Sequence, residues 1–251
     1  MLGTMIACTQ EGALAVATLA RAPVNAINEA WLARLDEVAA AMERAPDVAV
    51  LLLRSSERTF CAGADLELMR SRFDSADGRA RMVEFVREIQ RVYARLERLP
   101  QVTLAEIGGA AMGGGLELAL ACDLRIAAED ARLGLPEPRL GLVPGAGGTQ
   151  RLARIAGEAA AKRLILGAEA VSGAQAAALG IVQWAVPASE LAARTRAIAR
   201  DIAALPAAAL AEAKRCIGAA NGYEREVEAT ARLLEQDETR SRVRSFLEKR
   251  R

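Results

Sequence analysis

Apolar residues first gather in two short runs, 5–9 and 13–19, separated by Glu11-Gly12. Two such runs around a glycine-bearing turn predict a β-hairpin. The period then changes. Asn28 has the chemistry of a helix N-cap, and Trp31, Leu35, Val38 and Met42 follow at helical spacing on one face. Pro46-Asp47 ends that helix, and residues 48–53 form a continuous apolar run, the pattern of a buried strand. Met82, Phe85, Val86, Ile89, Val92, Tyr93, Leu96 and Leu99 mark one face of a longer helix that stops at Pro100. Residues 102–107 predict another buried strand, 116–122 a short helix and 124–127 a further strand. Residues 133–150 are rich in Gly and Pro and predict a loop with several turns. From about Ala188 the chain is helical and alanine-rich, broken at Pro206 and around Gly218, Asn221 and Gly222. The order is α/β, with strand–helix units first and a helical block second.

Length and charge set limits. The 251 residues suffice for one large domain, or for a core with a small extension. The net charge of +1 gives no overall field that would favour nucleic acid or an acidic membrane surface. No stretch reaches the roughly 18 apolar residues of a membrane span. The first ten residues lack the basic-then-apolar pattern of a secretory signal. Cys8, Cys61, Cys122 and Cys216 show neither a CxxC pair nor a dense framework, and are expected to be reduced, buried thiols of a cytoplasmic protein. The chain has no histidine. Ser-His-Asp and Cys-His catalysis cannot be built from it, most zinc and iron sites lose their usual ligand, and any general acid or base must be Asp, Glu, Lys, Cys or Tyr.

Three segments can carry chemistry. Residues 60–65 (FCAGAD) form a small-residue turn after a strand. It is either a tight connection or a place where backbone N–H groups meet a ligand. Residues 113–118 set three glycines before a helix, leaving its first N–H groups unpaired at the positive end of the helix dipole. The spacing is not that of a dinucleotide or phosphate loop. Glu117, in the first turn, could be a solvated acid that complements the dipole. Leu116, Leu118, Ala119 and Leu120 around it point instead to a buried helix, where a glutamate needs a partner or a task. In residues 134–151, Glu137 stands between two prolines. It is either a surface acid on a stiff loop or the fixed carboxylate that a general acid requires.

Together, residues 60–65, 113–123 (GGGLELALACD) and 133–152 (LGLPEPRLGLVPGAGGTQRL) resemble the enoyl-CoA hydratase/isomerase, or crotonase, family, nearest to bacterial enoyl-CoA and methylglutaconyl-CoA hydratases. The resemblance implies a spiral of ββα turns over residues 1–190 that holds an acyl-CoA site. It implies a C-terminal helical domain, residues 191–251, that packs at the interfaces of a trimer or a dimer of trimers. Ala64 and Gly114 would supply the N–H groups of an oxyanion hole. Glu117 would activate water, and Glu137 would handle the proton at C2. Ala62, Asp65 and Leu66, with Phe246 and Lys249 of the FLEK segment, would lie near coenzyme A, which enters as part of the substrate; no permanent cofactor and no metal are expected. An RNA-binding role is not supported, because residues 29–44 carry Glu29, Asp36, Glu37 and Glu43 against only Arg34 and Arg44. Two acids favour a hydratase over a double-bond isomerase, which needs one, and over a non-catalytic acyl-CoA-binding protein, which needs neither.

Overall fold

The computed structural model of the protein describes residues 5–249; Met1 to Thr4, where part of the reading of the N-terminus falls, lie outside the described residues. The predicted hairpin is present: β1 (Ile6–Glu11) and β2 (Leu14–Leu19) pair antiparallel across Gly12, whose φ of 61° suits glycine. Asn28 caps α1 (Glu29–Glu43) by accepting a hydrogen bond from Trp31 N–H at 2.9 Å, and the four residues at helical spacing all face the core. Strand β3 (Val50–Ser55) follows, then a short α2 (Leu66–Arg70) and the long α3 (Ala76–Glu97), capped by Ser75. Next come β4 (Val102–Ile107), β5 (Ala111–Met112), α4 (Gly114–Leu120), β6 (Leu124–Ala128) and β7 (Arg132–Gly134). A 3-10 turn spans Glu137–Leu140. Then follow α5 (Gly148–Leu166), β8 (Ala170–Ser172), α6 (Gly173–Ala178) and β9 (Trp184–Val186). The chain finishes on α7 (Ala188–Ala203), α8 (Ala207–Cys216), α9 (Gly222–Leu234) and α10 (Asp237–Glu248).

The main sheet runs β1-β2-β3-β4-β6-β9 and is parallel except for the β1–β2 hairpin. A smaller sheet, β5-β7-β8, stands beside it and carries two of the segments that build the site. α7 packs across β2, β3, β4 and β6, whereas α9 packs mainly on α8. Among the described residues no helix is long and apolar enough to cross a membrane.

Two expectations need correction. Residues 133–150 are not all loop, since they contain β7, the 3-10 turn and the start of α5. Of the four cysteines, Cys61 and Cys122 are buried, but Cys8 is exposed and Cys216 half-buried. Cys8 lies on β1, which has one free edge and an outer face largely open to solvent.

Arg125, on β6, secures the helix that carries Glu117. It is 2% exposed, and its guanidinium donates to the carbonyls of Cys122 at 2.7 Å, Ile181 at 2.7 Å and Ala119 at 3.3 Å. Ala119 lies in the last turn of α4 and Cys122 two residues beyond its end, where carbonyls run short of helical partners. Arg125→Met keeps the volume and removes every donor. Urea unfolding should show a loss of about 3 kcal/mol, the scale of several buried acceptors left unsatisfied; a loss below about 1 kcal/mol would contradict this role.

Candidate active site

The site begins with close contact between two backbones. Cys61 N–H donates to Ala110 O at 3.1 Å and Met112 N–H donates to Cys61 O at 3.0 Å, so residues 60–65 lie strand-like along β5. Glycine is required where the backbones touch. A Cβ on Gly115 would come within 2.0 Å of Cys61 O, and one on Gly63, whose φ is 95°, within 2.9 Å of Met112 O. The contact leaves two amides facing one space. Among the described residues, neither Ala64 N–H nor Gly114 N–H has a hydrogen-bond acceptor. They are neighbours, since a Cβ on Gly114 would lie 3.7 Å from the Ala64 nitrogen. Gly114 opens α4, so its amide also carries the positive end of that helix. On the other side, the fully buried Tyr93 donates its hydroxyl to Gly114 O at 2.9 Å and fixes this residue from behind.

Two carboxylates complete the arrangement. Glu117 is 3% exposed, and its Oε1 accepts from Gly148 N–H, the first amide of α5, at 2.7 Å. Burial pushes its pKa up to about 7; the amides of Gly148 and Ala146 work against the rise, and the charge of Glu137 adds to it. Glu137 heads the 3-10 turn, which is closed by Leu142 N–H donating to the Glu137 carbonyl at 3.1 Å. Its side chain lies over Gly113, where a Cβ would sit 2.8 Å from Glu137 Oε1. The other oxygen, Oε2, is buried without a partner. Burial raises the pKa of Glu137 as well. A buried carboxylate oxygen with nothing to accept from is costly unless a ligand or water supplies a donor.

Both carboxylates and both free amides open into one cavity of about 430 Å³. Ala62, Ala64, Leu66, Gly114, Glu117 and Glu137, all proposed from sequence, line it. Three others do not. Asp65 is occupied as the N-cap of α2, accepting from the amides of Glu67 and Leu68, and as the partner of Arg21 at 2.8 Å. Burial opposes ionisation of Asp65, but Arg21 and the capping amides outweigh it and hold its pKa below the ordinary value. Phe246 and Lys249 lie at the end of the chain, where α10 is tied to the corner after α7 by Arg242, which donates to Ala204 O at 3.2 Å. Neither reaches this cavity within the chain.

Sequence reasoning did not name the side chains of the apolar wall or the groups that hold the acids. Met82, Val86 and Ile89 of α3, with Phe73, Leu142 and Val143, form much of the wall. Arg151 anchors the loop that presents Gly148 to Glu117; it donates to Ala146 O at 2.8 Å and pairs with Glu97 at 3.0 Å. The helical spacing of α3 was a usable signal for the wall, since Met82 and Val86 are one turn apart. Among the described residues, no three His, Cys, Asp or Glu side chains cluster as a metal site.

The fold thus brings glycine-tight backbones, the buried Glu117 and the half-buried Glu137 together around one apolar cavity beside a parallel sheet flanked by helices. The profile of the enoyl-CoA hydratase/isomerase family matches residues 9–251. The short-chain-enoyl-CoA hydratase of Clostridium acetobutylicum is 35% identical over 96% of this chain and 94% of its own length. An enoyl-CoA isomerase/hydratase of Mycosarcoma maydis is 40% identical over 80% of this chain and 74% of its own. The crystal structure of an enoyl-CoA hydratase from Bacillus anthracis superposes with a TM-score of 0.90 at 33% identity, covering 98% of this chain and 96% of that one. The chain belongs to the enoyl-CoA hydratase/isomerase family and has its crotonase fold.

Proposed function

We propose that this protein is an enoyl-CoA hydratase, which adds water across the 2,3 double bond of a 2-enoyl-CoA thioester to give a 3-hydroxyacyl-CoA. The observation that carries this reading is the pair of carboxylates, Glu117 buried and Glu137 half-buried with its Oε2 shielded from solvent, at one cavity beside two unpartnered amides. The thioester oxygen sits between Ala64 N–H and Gly114 N–H. Negative charge grows on that oxygen as water attacks C3, so the amides hold the transition state more tightly than the substrate. Water lies between the two acids. Its hydroxyl goes to C3, one carboxylate takes its proton, and the other acid, protonated, gives its proton to C2 to form the saturated 3-hydroxy thioester. The two acids titrate as a coupled pair. An assay of the protein with a 2-enoyl-CoA and a 3-enoyl-CoA decides the matter. Loss of the conjugated thioester absorbance with uptake of water is expected; interconversion of the two enoyl thioesters without hydration would assign an isomerase instead.

The same reading takes the protein to be a homo-oligomer, a trimer or a pair of trimers. Supporting it, Ile217, Tyr223, Val227 and Leu234 place exposed apolar surface on and around α9.

The acid that serves chemistry weakens the fold. Glu117 has a folded pKa of about 7 against an ordinary value of 4.5, so the folded state favours its protonated form. Its contribution to stability is fully present below the ordinary value and is lost as pH rises through about 7. At about 1.36 kcal/mol per pH unit, the loss by pH 8 is about 3 kcal/mol. Glu117→Gln should therefore be more stable than the unmodified protein at pH 8, by up to that amount, and within about 1 kcal/mol of it at pH 5. Urea melts at the two pH values measure this, and an equal difference at both would refute it.

A further inference from the structure

The cavity has an unusual charge inventory. Apart from Glu117 and Glu137, every side chain lining it is apolar or glycine. Among the described residues, no lysine, arginine, hydroxyl or amide side chain lines it. The arginines on the segments that build it have other partners: Arg21 holds Asp65, Arg72 holds Glu29, Arg139 donates to Ala168 O, and Arg151 is shared between Glu97 and Ala146 O. The rest of the wall is aliphatic or aromatic, and includes Met82 and Val86 from α3, Leu142, Val143 and Phe73. A second carboxylate on the acyl group would enter a low-dielectric space that already holds two acids and offers no counter-charge. An alkyl chain would gain from each methylene removed from water.

We propose, resting on the hydratase reading of this same site, that the acyl group accepted is an uncharged aliphatic chain running along Met82 and Val86, and that thioesters bearing a second, free carboxylate are rejected. This separates the two branches to which the sequence motifs point. The alkyl enoyl-CoA substrates fit the wall, and a methylglutaconyl thioester, which carries a free carboxylate, does not.

The test uses saturated thioesters, which cannot be hydrated, so that binding is read apart from reaction. Butanoyl-, hexanoyl- and octanoyl-CoA are titrated calorimetrically at pH 8 beside suberyl-CoA, the eight-carbon thioester with a terminal carboxylate. Affinity should rise by up to about fourfold per methylene through the alkyl series. Suberyl-CoA should bind more weakly than octanoyl-CoA by a factor on the order of one hundred. Suberyl-CoA binding within threefold of octanoyl-CoA overturns the proposal, and so does an affinity that ignores chain length. Met82→Lys adds a cation to the wall and should narrow the suberyl–octanoyl gap at least tenfold. An unchanged gap in the folded variant overturns the assignment of rejection to the missing counter-charge, and if that variant does not fold, the comparison on the unmodified protein still decides. Failure of the hydratase reading looks different: the binding ranking stands, but 2-octenoyl-CoA gains no water.

Discussion

Glu117→Gln should slow hydration of a 2-enoyl-CoA by about 10²–10⁴-fold while leaving acyl-CoA binding close to that of the unmodified protein. The substitution is nearly isosteric. Its amide oxygen can still accept from Gly148 N–H, so the joint between α4 and α5 survives. What disappears is the titratable group, whose pKa of about 7 suits proton transfer near neutral pH. Glu137→Gln should cost a similar factor. Its unpartnered Oε2 is the one buried acceptor in the site that the protein leaves for a ligand or water to satisfy. Because both acids act on one water, the double variant should be little worse than either single one. An isomerase would behave otherwise, with one glutamate indispensable and the other nearly free to change. The measurement is the hydration rate of the unmodified protein, both single variants and the double. Retention of most activity by Glu117→Gln would sink the two-acid mechanism.

Gly114→Pro should lower turnover by at least about 10²–10³-fold, the effect of removing one oxyanion donor. Gly114 is the first residue of α4, a helical position that tolerates proline because its N–H has no partner within the helix. The proposed chemistry, in contrast, depends on that N–H. Gly114→Ala is the control. Its Cβ meets Ile27 Cδ1 at 3.0 Å, a contact the side chain can relieve by a small shift, and it keeps the donor. Alanine should therefore stay within about tenfold of the unmodified protein, on the scale of a modest overpacking strain. Circular dichroism confirms that both variants fold. Equal activity for the proline and alanine variants would remove the backbone amide from the mechanism.

Elements with a clear apolar pattern were legible in the sequence, the short α4 and β6 among them, and strands of two or three residues were not. β4 falls on the residues expected of it, and α1 begins at its predicted cap, because an apolar face repeated over several turns has few alternative arrangements. β5, β7, β8 and β9 have two or three residues each, too few for a period to show. α5 begins inside a glycine cluster that reads as loop, and its first amide is committed to Glu117. At the site, the motifs identified the acids and glycines but not the wall. Met82 and Val86 share a helical face with Phe85 and Ile89, and a periodic pattern shows that a face is covered without showing by what. Asp65 carries a role the motif does not show: its carboxylate starts α2 and holds Arg21.

The backbone contact at Cys61 also determines how the protein meets electrophiles and oxidants. Cys61 lies directly behind the paired amides, with its thiol donating to Asn25 O at 3.1 Å, and burial pushes its pKa up to about 12. Cys122, beyond the far end of α4, is likewise pushed up to about 12. Thiols react as thiolates, so at neutral pH these two are inert to alkylation and to peroxide. The sulfurs that solvent can reach, Cys8 on β1 and Cys216 at the end of α8, line no part of the catalytic cavity. A reporter group or a surface tether can therefore be coupled to Cys8, away from the acids and the amides.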